Sequence, residues 1–386
     1  MKKTYLSNRV ANLKPSGIRR FFEIAATMEE VISLGIGEPD FDSPPAILAA
    51  GKRALEQNKT HYTSNRGIMP LREALAETIQ NLYGVRYHAA DEVLTTVGGS
   101  EALVVACQAL LDPGDEIILP TPCFVSYQGV ISLVGGVSVE VPSTMENNFM
   151  PDPDRLEQAI TPRTKAILLN FPCNPTGAVA DKKTLMAIGA IAEKHDLIVI
   201  SDEIYDRLVY GTSHVSFPSL SGMRDRTILI GGFSKDYAMT GWRIGFVCAP
   251  AHMMKGIAVV HQYIIMTAPT MSQYAALEGL RCCEEDVQRM VQEYDRRRRS
   301  IVAGLNYIGL PTFEPRGAFY AFPKVSVTGL DDETFAERLL QEKHVAVVPG
   351  SAFGPGGEGF VRCSYATAFD QIEEALDRID QFVKSL

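Results

Sequence analysis

The feature that most constrains this chain is a repeated order of short apolar runs and longer helical patterns. Five such runs occur in the sequence, namely EVLTTV, DEIILP, KAILLN, DLIVIS and TILIGG. Each run is almost continuously apolar, which is typical of strands that are covered on both faces. Because helical stretches such as EALVVACQALL separate them, the order predicts an α/β fold. Its central sheet should be mostly parallel and flanked by helices.

The length of the chain indicates more than one domain. It has 386 residues, more than a single compact core usually holds. The alternating pattern occupies residues 46–284, which we expect to form the large domain. Residues 285–386 mix helices with shorter strands such as AVVPG and predict a smaller α+β domain. Residues 1–45 are expected to be an N-terminal segment that joins the smaller domain.

Charge and composition exclude several classes of partner. The formal net charge of -9 disfavours nucleic acid, which attracts an excess of Lys and Arg. No stretch reaches the roughly 18 apolar residues that a membrane span needs, so no membrane partner is expected. Seven cysteines without a CxxC spacing indicate buried thiols in a reducing compartment, hence the cytoplasm. The basic run 296–299 follows acidic residues and is interpreted as a solvated or locally paired surface.

The segment GGFSKDYAMTGWRIGF contains a candidate nucleophile, Lys235, shortly after the run TILI. A lysine at the end of a buried strand is desolvated, which lowers its pKa and favours the neutral amine that condenses with aldehydes. Ser234 and Arg243 add a hydroxyl and a planar cation, a combination suited to a phosphate group. A Ser-Lys pair alone is also compatible with an ordinary surface lysine.

A second segment, DLIVISDEIYDRLVY, places Asp202 at the end of a predicted strand. Carboxyl ends of parallel strands face the crevice in which open α/β sheets bind ligands. An aspartate there could keep a proton on a pyridine nitrogen, as pyridoxal chemistry requires. Tyr205 could donate a hydrogen bond to the ring hydroxylate. The alternative interpretation of the segment is a helix start.

Two further segments complete a polar frame at the same sheet edge. Asn174 follows the run KAILLN within the turn FPCNPTG and could donate its amide opposite Tyr205. Gly99 and Ser100 lie between a predicted strand and a helix, where unpaired N-H groups favour an anion such as phosphate. Simple helix capping is the alternative. The chain lacks the GxGxxG and GxxxxGK[ST] patterns, which argues against nicotinamide or nucleotide binding.

Together these segments resemble the fold-type I pyridoxal-phosphate-dependent aminotransferases of the class I/II family, in particular their gamma-type bacterial and archaeal branch. The resemblance runs nearly end to end and includes LGIGEPDF, HYTSNRGIMPLREA, PTPCFVSY and PGSAFGPGGEGFVRCSYA. It implies pyridoxal 5'-phosphate as cofactor. It also implies an enzyme that moves an amino group between an amino acid and a 2-oxo acid with ping-pong kinetics.

The resemblance assigns roles to the residues found above. Lys235 resembles the lysine that carries the cofactor and transfers the proton, and Asp202 the partner of the pyridine nitrogen. Asn174 and Tyr205 resemble the donors to the ring oxygen. The phosphate-binding positions are matched by Gly99, Ser100, Ser234 and Arg243. Tyr62 matches the tyrosine that reaches the phosphate of the neighbouring subunit, which implies a homodimer.

The resemblance also adds residues whose isolated signals are weak. Phe124 aligns with the aromatic residue that stacks on the cofactor ring, although its neighbour Tyr127 also offers an aromatic face. Arg362 resembles the arginine that binds the substrate α-carboxylate through two parallel hydrogen bonds. Gly37 and Asn174 are implied to close around the same group. Without the resemblance, a surface ion pair would be the favoured interpretation of Arg362.

Substrate choice is less constrained by the sequence. Aspartate- and prephenate-using relatives carry a lysine for the distal carboxylate where this chain has Ser100, so a dedicated dicarboxylate enzyme is not expected. The segment PTPCFVSY is closer to relatives with aromatic or broad specificity. Arg19 or Arg20 could still meet an acidic side chain.

Two other functions use similar residues. A pyridoxal-phosphate-dependent β-lyase that splits C-S bonds would need the same lysine, aspartate and arginine. A more distant alternative is a non-catalytic regulator with an aminotransferase-like body. The regulator is disfavoured because Gly37 already belongs to the substrate loop and because the net charge is negative, whereas a DNA-binding module is usually basic.

Overall fold

The computed structural model describes residues 5–11, 13 and 28–386. The β-strands in these residues are β1 Ile32–Ser33, β2 Val93–Thr96, β3 Glu116–Thr121, β4 Val137–Pro142, β5 Thr164–Asn170, β6 Ile198–Asp202, β7 Thr227–Gly232, β8 Gly245–Cys248, β9 Tyr320–Ala321, β10 Val345–Ala346, β11 Val348–Pro349 and β12 Val361–Ser364.

Seven of these strands form one large sheet, in the order β2-β8-β7-β6-β5-β3-β4. Strand β8 runs antiparallel to both of its neighbours, and the remaining pairs are parallel. The predicted mostly parallel central sheet is therefore confirmed.

The apolar runs have a direct structural explanation. In the central strand β5, Ile167 and Leu169 enter the hydrophobic core on one face of the sheet. Leu168 enters the core on the other face. Successive side chains of the strand thus point alternately into one core and the other. Because both cores are apolar, both sets of side chains must be hydrophobic. The edge strand β4 is only partly buried and accordingly alternates polar and apolar residues.

Helices cover both faces of the sheet and connect its strands. The α-helices of the described chain are Asn8–Ala11, Pro45–Glu56, Met69–Tyr83, Gly98–Leu110, Ser126–Val134, Pro153–Gln158, Lys182–Lys194, Ala251–Ile264, Thr270–Cys282, Glu284–Ile308, Asp332–Lys343 and Phe369–Lys384. Asp181 and Asp331 each cap a helix by accepting a backbone N-H in its first turn, a contact usually worth about 1 kcal/mol. Within the described ranges no helix is both long and apolar enough to cross a membrane.

Two small sheets lie outside the large one. Strand β1 pairs in parallel with β10, so residues from near the two ends of the chain meet. Strand β12 pairs antiparallel with β9 and β11. The helix Phe369–Lys384 packs on the helix Glu284–Ile308 beside these sheets. These contacts bring β9 and β12 toward the carboxyl ends of the large sheet.

The basic run 296–299 is not simply a solvated surface. The predicted local pairing is present, since each arginine of the run pairs with Glu293 or Asp295. Arg297 and Arg298 are nevertheless buried rather than at the surface. Arg297 bonds Glu293 and Asp40, so one of its partners lies far away in the sequence. Local charge patterning cannot reveal such a partner, because only the fold brings Asp40 to this helix.

Candidate active site

A cavity of about 1100 Å³ lies at the carboxyl ends of the parallel strands. Asn170 and Asp202 are the last residues of β5 and β6 and pair in register, and Lys235 follows β7 by three residues. All three line the cavity. Of the residues predicted for the site, every one except Tyr62 is part of this lining.

Lys235 provides a buried amine in this cavity. Its Nζ donates a hydrogen bond to the carbonyl oxygen of Gly37 at 2.7 Å. Burial lowers the pKa of Lys235 to about 8, with Glu38 acting in the opposite direction and Arg362 and Arg243 adding to the decrease. An amine with this pKa is partly neutral near physiological pH and can serve as a nucleophile or a base.

Asp202 lies buried at the end of β6. Its Oδ2 accepts a hydrogen bond from the hydroxyl of Tyr127 at 2.7 Å, and its Oδ1 accepts one from the backbone N-H of Ile204 at 3.2 Å. Burial raises the pKa of Asp202 to about 6 despite these two hydrogen bonds. The carboxyl group is therefore poised to hold or stabilise a proton on a basic partner in the cavity.

One end of the cavity is built for an anion. Gly98 has a φ of +71° and starts the helix Gly98–Leu110, so the next residues present N-H groups at a helix start. A Cβ atom on Gly98 would lie 2.8 Å from Nη2 of Arg243. Arg243 also has a positive φ, +51°, and its Nη1 donates to the carbonyl of Thr240 at 2.9 Å. Backbone donors and a guanidinium thus lie close together, as phosphate binding requires. We call this the anion end.

Residues outside the cavity hold the anion end in place. The carboxylate of Glu101, in the first turn of the same helix, accepts a hydrogen bond from the backbone N-H of Val97. Its other oxygen lies 2.6 Å from Nδ1 of His261. His261 is completely buried on the helix Ala251–Ile264. The start of the anion-binding helix is therefore fixed from behind by a neighbouring helix.

A second anion-binding part of the cavity contains Arg362. Its Nη1 donates to Oδ1 of Asn174 at 2.9 Å, and its Nη2 donates to the carbonyl oxygen of Gly35 at 2.5 Å. Its Nε is buried without a partner among the described residues. Asn174 is itself held by a bond from its backbone N-H to Oδ1 of Asn170 at 3.0 Å. A buried guanidinium with reserve hydrogen-bonding capacity is suited to bind a carboxylate. We call this the carboxylate end.

Tyr205 lies between the two ends and has a partner that the sequence did not suggest. Its hydroxyl oxygen is 2.8 Å from the hydroxyl oxygen of Tyr320, and both side chains are buried. Tyr320 belongs to β9 and lines the cavity. Its position within the aromatic sequence GAFYAF is typical of a core residue, which explains why it was missed.

The two aromatic residues near the start of the helix Ser126–Val134 have different surroundings. Phe124 and Tyr127 meet edge to face, with ring centroids 5.6 Å apart and an interplanar angle of 87°. Tyr127 is buried and its hydroxyl is engaged by Asp202. Phe124 is less buried and also lines the cavity. The arrangement leaves Phe124 as the available aromatic face.

Two sequence predictions concern residues beyond the cavity. Tyr62 is 81% exposed in this single chain and does not line the cavity. Its neighbour Thr63 bonds Thr267 at 2.6 Å, so the loop that carries Tyr62 lies against residues after the helix Ala251–Ile264. Arg19 and Arg20 lie outside the described residues.

The chain was compared with known proteins. The family model "Aminotransferase class I and II" matches residues 29–379. The chain is 47% identical to an aspartate aminotransferase of Pyrococcus abyssi and 45% identical to aromatic-amino-acid aminotransferase 2 of Thermococcus litoralis, covering 98% of both chains in each case. It superposes on the structure of Thermus thermophilus aspartate aminotransferase with maleate with a TM-score of 0.94, at 41% identity, covering 98% of this chain and 100% of the other.

Proposed function

This chain belongs to the class I and II aminotransferases, and we propose that it holds pyridoxal 5'-phosphate on Lys235 in the cavity described above. It is an enzyme that transfers an amino group between an amino acid and a 2-oxo acid. The observation that supports the cofactor site most strongly is the amine of Lys235, buried in one cavity with the carboxyl group of Asp202 and the guanidinium of Arg362.

The donor set of the cavity fits this cofactor. A pyridoxal compound requires an amine for its aldehyde and an acid for its pyridine nitrogen, and a phosphate requires N-H donors and a cation. Lys235 has a lowered pKa and Asp202 a raised one, which suits the first two tasks. Arg243 crowds Gly98 so closely that a side chain on this glycine would meet the guanidinium. We infer that the anion end was shaped around a phosphate.

We assign the contacts as follows. Asp202 would pair with the pyridine nitrogen, and Asn174 and Tyr205 would donate to the ring oxygen. Phe124 would cover the face of the ring. The phosphate would be held by Gly99, Ser100, Ser234 and Arg243.

The chemistry depends on the side chains that surround the cofactor. Pyridoxal phosphate, when bound, supplies an electron sink that stabilises a negative charge at the substrate α-carbon. Lys235 would move the proton between the substrate α-carbon and C4' of the cofactor, because its lowered pKa leaves a usable fraction of free amine. Arg362 orients the substrate by exchanging its bonds to Gly35 and Asn174 for bonds to the α-carboxylate. Since one site serves both half-reactions, ping-pong kinetics are expected.

We propose that the substrate side chain is uncharged, with aromatic side chains among the accepted ones. The lining includes a set of apolar side chains without an assigned task, namely Ile36, Leu103, Val104 and Val130. The cations of this lining, counted over the described chain, are Lys235, Arg243 and Arg362, and each already has a task. None of them is left for a distal carboxylate. Relatives are named for both aspartate and aromatic amino acids. Assays with a panel of amino donors therefore distinguish these two substrate classes.

Peptide mapping tests the cofactor site. The protein loaded with pyridoxal phosphate is reduced with borohydride and digested with trypsin. If Lys235 carries the cofactor, trypsin cannot cut there, and the labelled peptide should run from Thr227 to Arg243. The variant Lys255→Ala changes an exposed lysine and should give the same peptide. A label on any other lysine would contradict the assignment.

Steady-state assays test the reaction and the substrate class. A set of amino donors is offered with pyruvate, a 2-oxo acid without a distal carboxylate, and the alanine formed is measured. We expect higher kcat/KM with phenylalanine or tyrosine than with aspartate. Release of pyruvate and ammonia from a cysteine conjugate, without formation of a new amino acid, would instead favour the β-lyase.

We also propose that Tyr62 completes the anion end of a second copy in a homodimer. Its high exposure in the single chain supports this proposal, as does the run of exposed apolar side chains at 263–266, which the loop of Tyr62 contacts through the bond from Asn65 to the carbonyl of Met266. Contiguous exposed apolar surface is unusual on monomers. Sedimentation of the protein with and without the change Tyr62→Phe, combined with cofactor titration, tests it. A monomer with full cofactor affinity would contradict it.

We propose a large domain of residues 46–284 and a smaller one of residues 285–386 joined by residues 1–45. The pairing of β1 with β10 supports the last assignment. All seven cysteines are free thiols, which supports a reducing compartment such as the cytoplasm.

A further inference from the structure

Tyr320 contacts several of the groups assigned above to cofactor and substrate. Its hydroxyl oxygen lies 2.8 Å from that of Tyr205. Its ring faces the guanidinium of Arg362, whose carbon is 4.5 Å from the ring centroid. A Cβ atom on Gly37 would lie 2.2 Å from the Tyr320 hydroxyl oxygen, and the carbonyl of Gly37 accepts the bond from Lys235. Tyr320 thus lies against Tyr205, against Arg362 and against Gly37, the residue that accepts the hydrogen bond of Lys235.

The two hydroxyl groups constrain one another. A tyrosine hydroxyl has one proton to donate, although its oxygen can also accept a hydrogen bond. If Tyr205 donates its proton to an acceptor in the cavity, its bond with Tyr320 persists only when Tyr320 is the donor. A hydrogen bond received at its oxygen polarises the O-H group of Tyr205 and makes it a stronger donor. Tyr320 therefore determines both the direction and the strength of the bond that Tyr205 gives.

The ring of Tyr320 performs a second task. The guanidinium of Arg362 lies between this ring and that of Phe353, whose centroid is 5.1 Å away. Such cation-π contacts restrict the plane of a guanidinium and thereby the direction of its N-H groups. The register of β9 and β12 places Tyr320 opposite Ser364, two residues after Arg362, so the contact is built into the small sheet.

We propose that Tyr320 is a positioning residue that links carboxylate binding at Arg362 to the hydrogen bond given by Tyr205. The inference rests on the proposed function, because Tyr205 is assigned there as a donor to the cofactor ring oxygen. A carboxylate that replaces Gly35 and Asn174 as partner of Arg362 moves the guanidinium across the ring. The Tyr320 ring shifts with the guanidinium, so its hydroxyl group moves relative to the hydroxyl group of Tyr205. The hydrogen bond between the two tyrosines changes as a result.

A role in packing alone makes a different prediction. The ring of Tyr320 also packs against Phe319, with centroids 4.9 Å apart, and this contact needs no hydroxyl group. If packing were the only role, Tyr320→Phe would behave like any other loss of a buried hydroxyl. Tyr365→Phe is a matched control, because Tyr365 is buried nearby, its hydroxyl donates to the carbonyl of Ala318 at 3.3 Å and it does not line the cavity.

The first experiment measures the pH midpoint of the absorbance change of bound pyridoxal phosphate. A donor to the ring oxygen stabilises its ionised form and so lowers this midpoint. Tyr320→Phe weakens the donor and should raise the midpoint by about half a pH unit or more, whereas Tyr365→Phe should not change it. In the double variant Tyr205→Phe/Tyr320→Phe, the midpoint should equal that of Tyr205→Phe alone, because Tyr320 acts through Tyr205.

The second experiment separates the hydroxyl group from the ring by kinetics. Tyr320→Phe retains the ring and should lower kcat about fivefold while KM for the 2-oxo acid changes less than twofold. Tyr320→Leu removes the ring as well and should also raise KM about tenfold. Melting temperatures establish beforehand that Tyr320→Phe is folded as well as Tyr365→Phe.

The inference is overturned if Tyr320→Phe and Tyr365→Phe have the same midpoint, or if the shifts of Tyr205→Phe and Tyr320→Phe add in the double variant. Either result would leave Tyr320 as a packing residue in a working aminotransferase. If the unchanged protein gains no cofactor absorbance with pyridoxal phosphate, the proposed cofactor site itself fails. The two failures are therefore distinguishable.

Discussion

The anion end and the carboxylate end of the cavity both suit negatively charged groups, but they are built differently. The anion end relies on backbone geometry, with positive φ angles at Gly98 and Arg243 and the start of the helix Gly98–Leu110. The carboxylate end depends on side chains and carbonyls from distant parts of the chain, since Arg362 bonds both Gly35 and Asn174.

The difference indicates how each end binds its ligand. N-H groups at a helix start need no rearrangement, so the anion end is suited to retain a phosphate permanently. The guanidinium of Arg362 already has acceptors within the protein, so a carboxylate must displace them. Such an exchange reduces net affinity, which suits a substrate that has to leave after each half-reaction. One end is thus adapted to retention and the other to turnover.

The largest effect is expected from the loss of the Lys235 amine, with both ends of the cavity left intact. Lys235→Ala should lower kcat roughly a thousandfold, because positioned proton transfer contributes about this much. Cofactor and substrate analogues should still bind, since Arg243 and Arg362 are unchanged. Single-turnover kinetics and equilibrium titration measure the two properties. Normal multiple turnover with added pyridoxal phosphate would rule out the proton-transfer role.

The same lysine should make the stability of the cofactor-free protein depend on pH. Its pKa is about 8 in the fold, against 10.5 as the ordinary value. Below pH 8 both the folded and the unfolded chain carry the proton, so burial of the charge destabilises the fold in full. Between pH 8 and 10.5 the folded chain loses the proton first and the penalty disappears. The unchanged protein should therefore gain about 3 kcal/mol over this window relative to Lys235→Met.

Urea denaturation of both proteins at pH 7.5 and at pH 10 measures this gain. Lys255→Met is the matched control, because Lys255 is exposed and should give no pH-dependent difference. An equal free energy of unfolding for Lys235→Met and the unchanged protein at both pH values would show that the amine is hydrated in the fold.

A crossed pair of substitutions separates the two ends directly. Arg362→Lys loses two-point binding and should raise KM for both substrates about thirtyfold, with cofactor affinity unchanged. Arg243→Lys should weaken cofactor binding to a similar extent, with KM unchanged at saturating cofactor. These magnitudes correspond to loss of a charged hydrogen bond, about 2 kcal/mol. Cofactor titration and steady-state kinetics on both variants measure the effects. A parallel loss of both properties in either variant would mean that the ends are not independent.

Two glycines provide a subtler version of the same comparison. Gly98→Ala forces a positive φ on alanine and places its Cβ 2.8 Å from Arg243, so cofactor affinity should fall about tenfold. Gly37→Ala has no such φ strain but meets the hydroxyl of Tyr320 at 2.2 Å. It should mainly raise KM, by about fivefold, since the buried ring of Tyr320 has to shift against the guanidinium of Arg362. Cofactor titration and steady-state kinetics measure both effects. If Gly98→Ala raised KM and Gly37→Ala weakened cofactor binding, the two ends would not have the separate tasks assigned to them.

The sequence predicted the parts of the molecule that depend on local rules. The large sheet was predictable because strands buried on both faces are apolar throughout. Lys235 and Asp202 were predictable because each follows such a strand, where ligands of α/β sheets bind. Gly37, Phe124 and Arg362 required the resemblance to a family, since their partners are remote in the chain.

The sequence could not predict features that only distant contacts create. Strand β1 has two residues and exists because it pairs with β10, more than 300 positions away in the chain. Tyr320 was missed because its neighbours Phe319 and Phe322 are core residues and give the same local pattern. Arg297 was interpreted as surface because its partner Asp40 is brought near only by the fold.

The smallest predicted effect asks whether the cavity can be given a third site for an anion. Ser100→Lys adds a cation to a lining whose cations already have tasks, so a distal carboxylate would gain a partner. The ratio of kcat/KM for aspartate to that for phenylalanine should rise about threefold, because position 100 is exposed and an exposed ion pair is worth less than about 1 kcal/mol. Ser100→Gln adds length without charge and controls for a change in shape. Because Ser100 also belongs to the anion end, cofactor affinity must be measured in parallel. A change in affinity with no change in the ratio would show that position 100 faces the phosphate alone, and that substrate charge is discriminated elsewhere in the cavity.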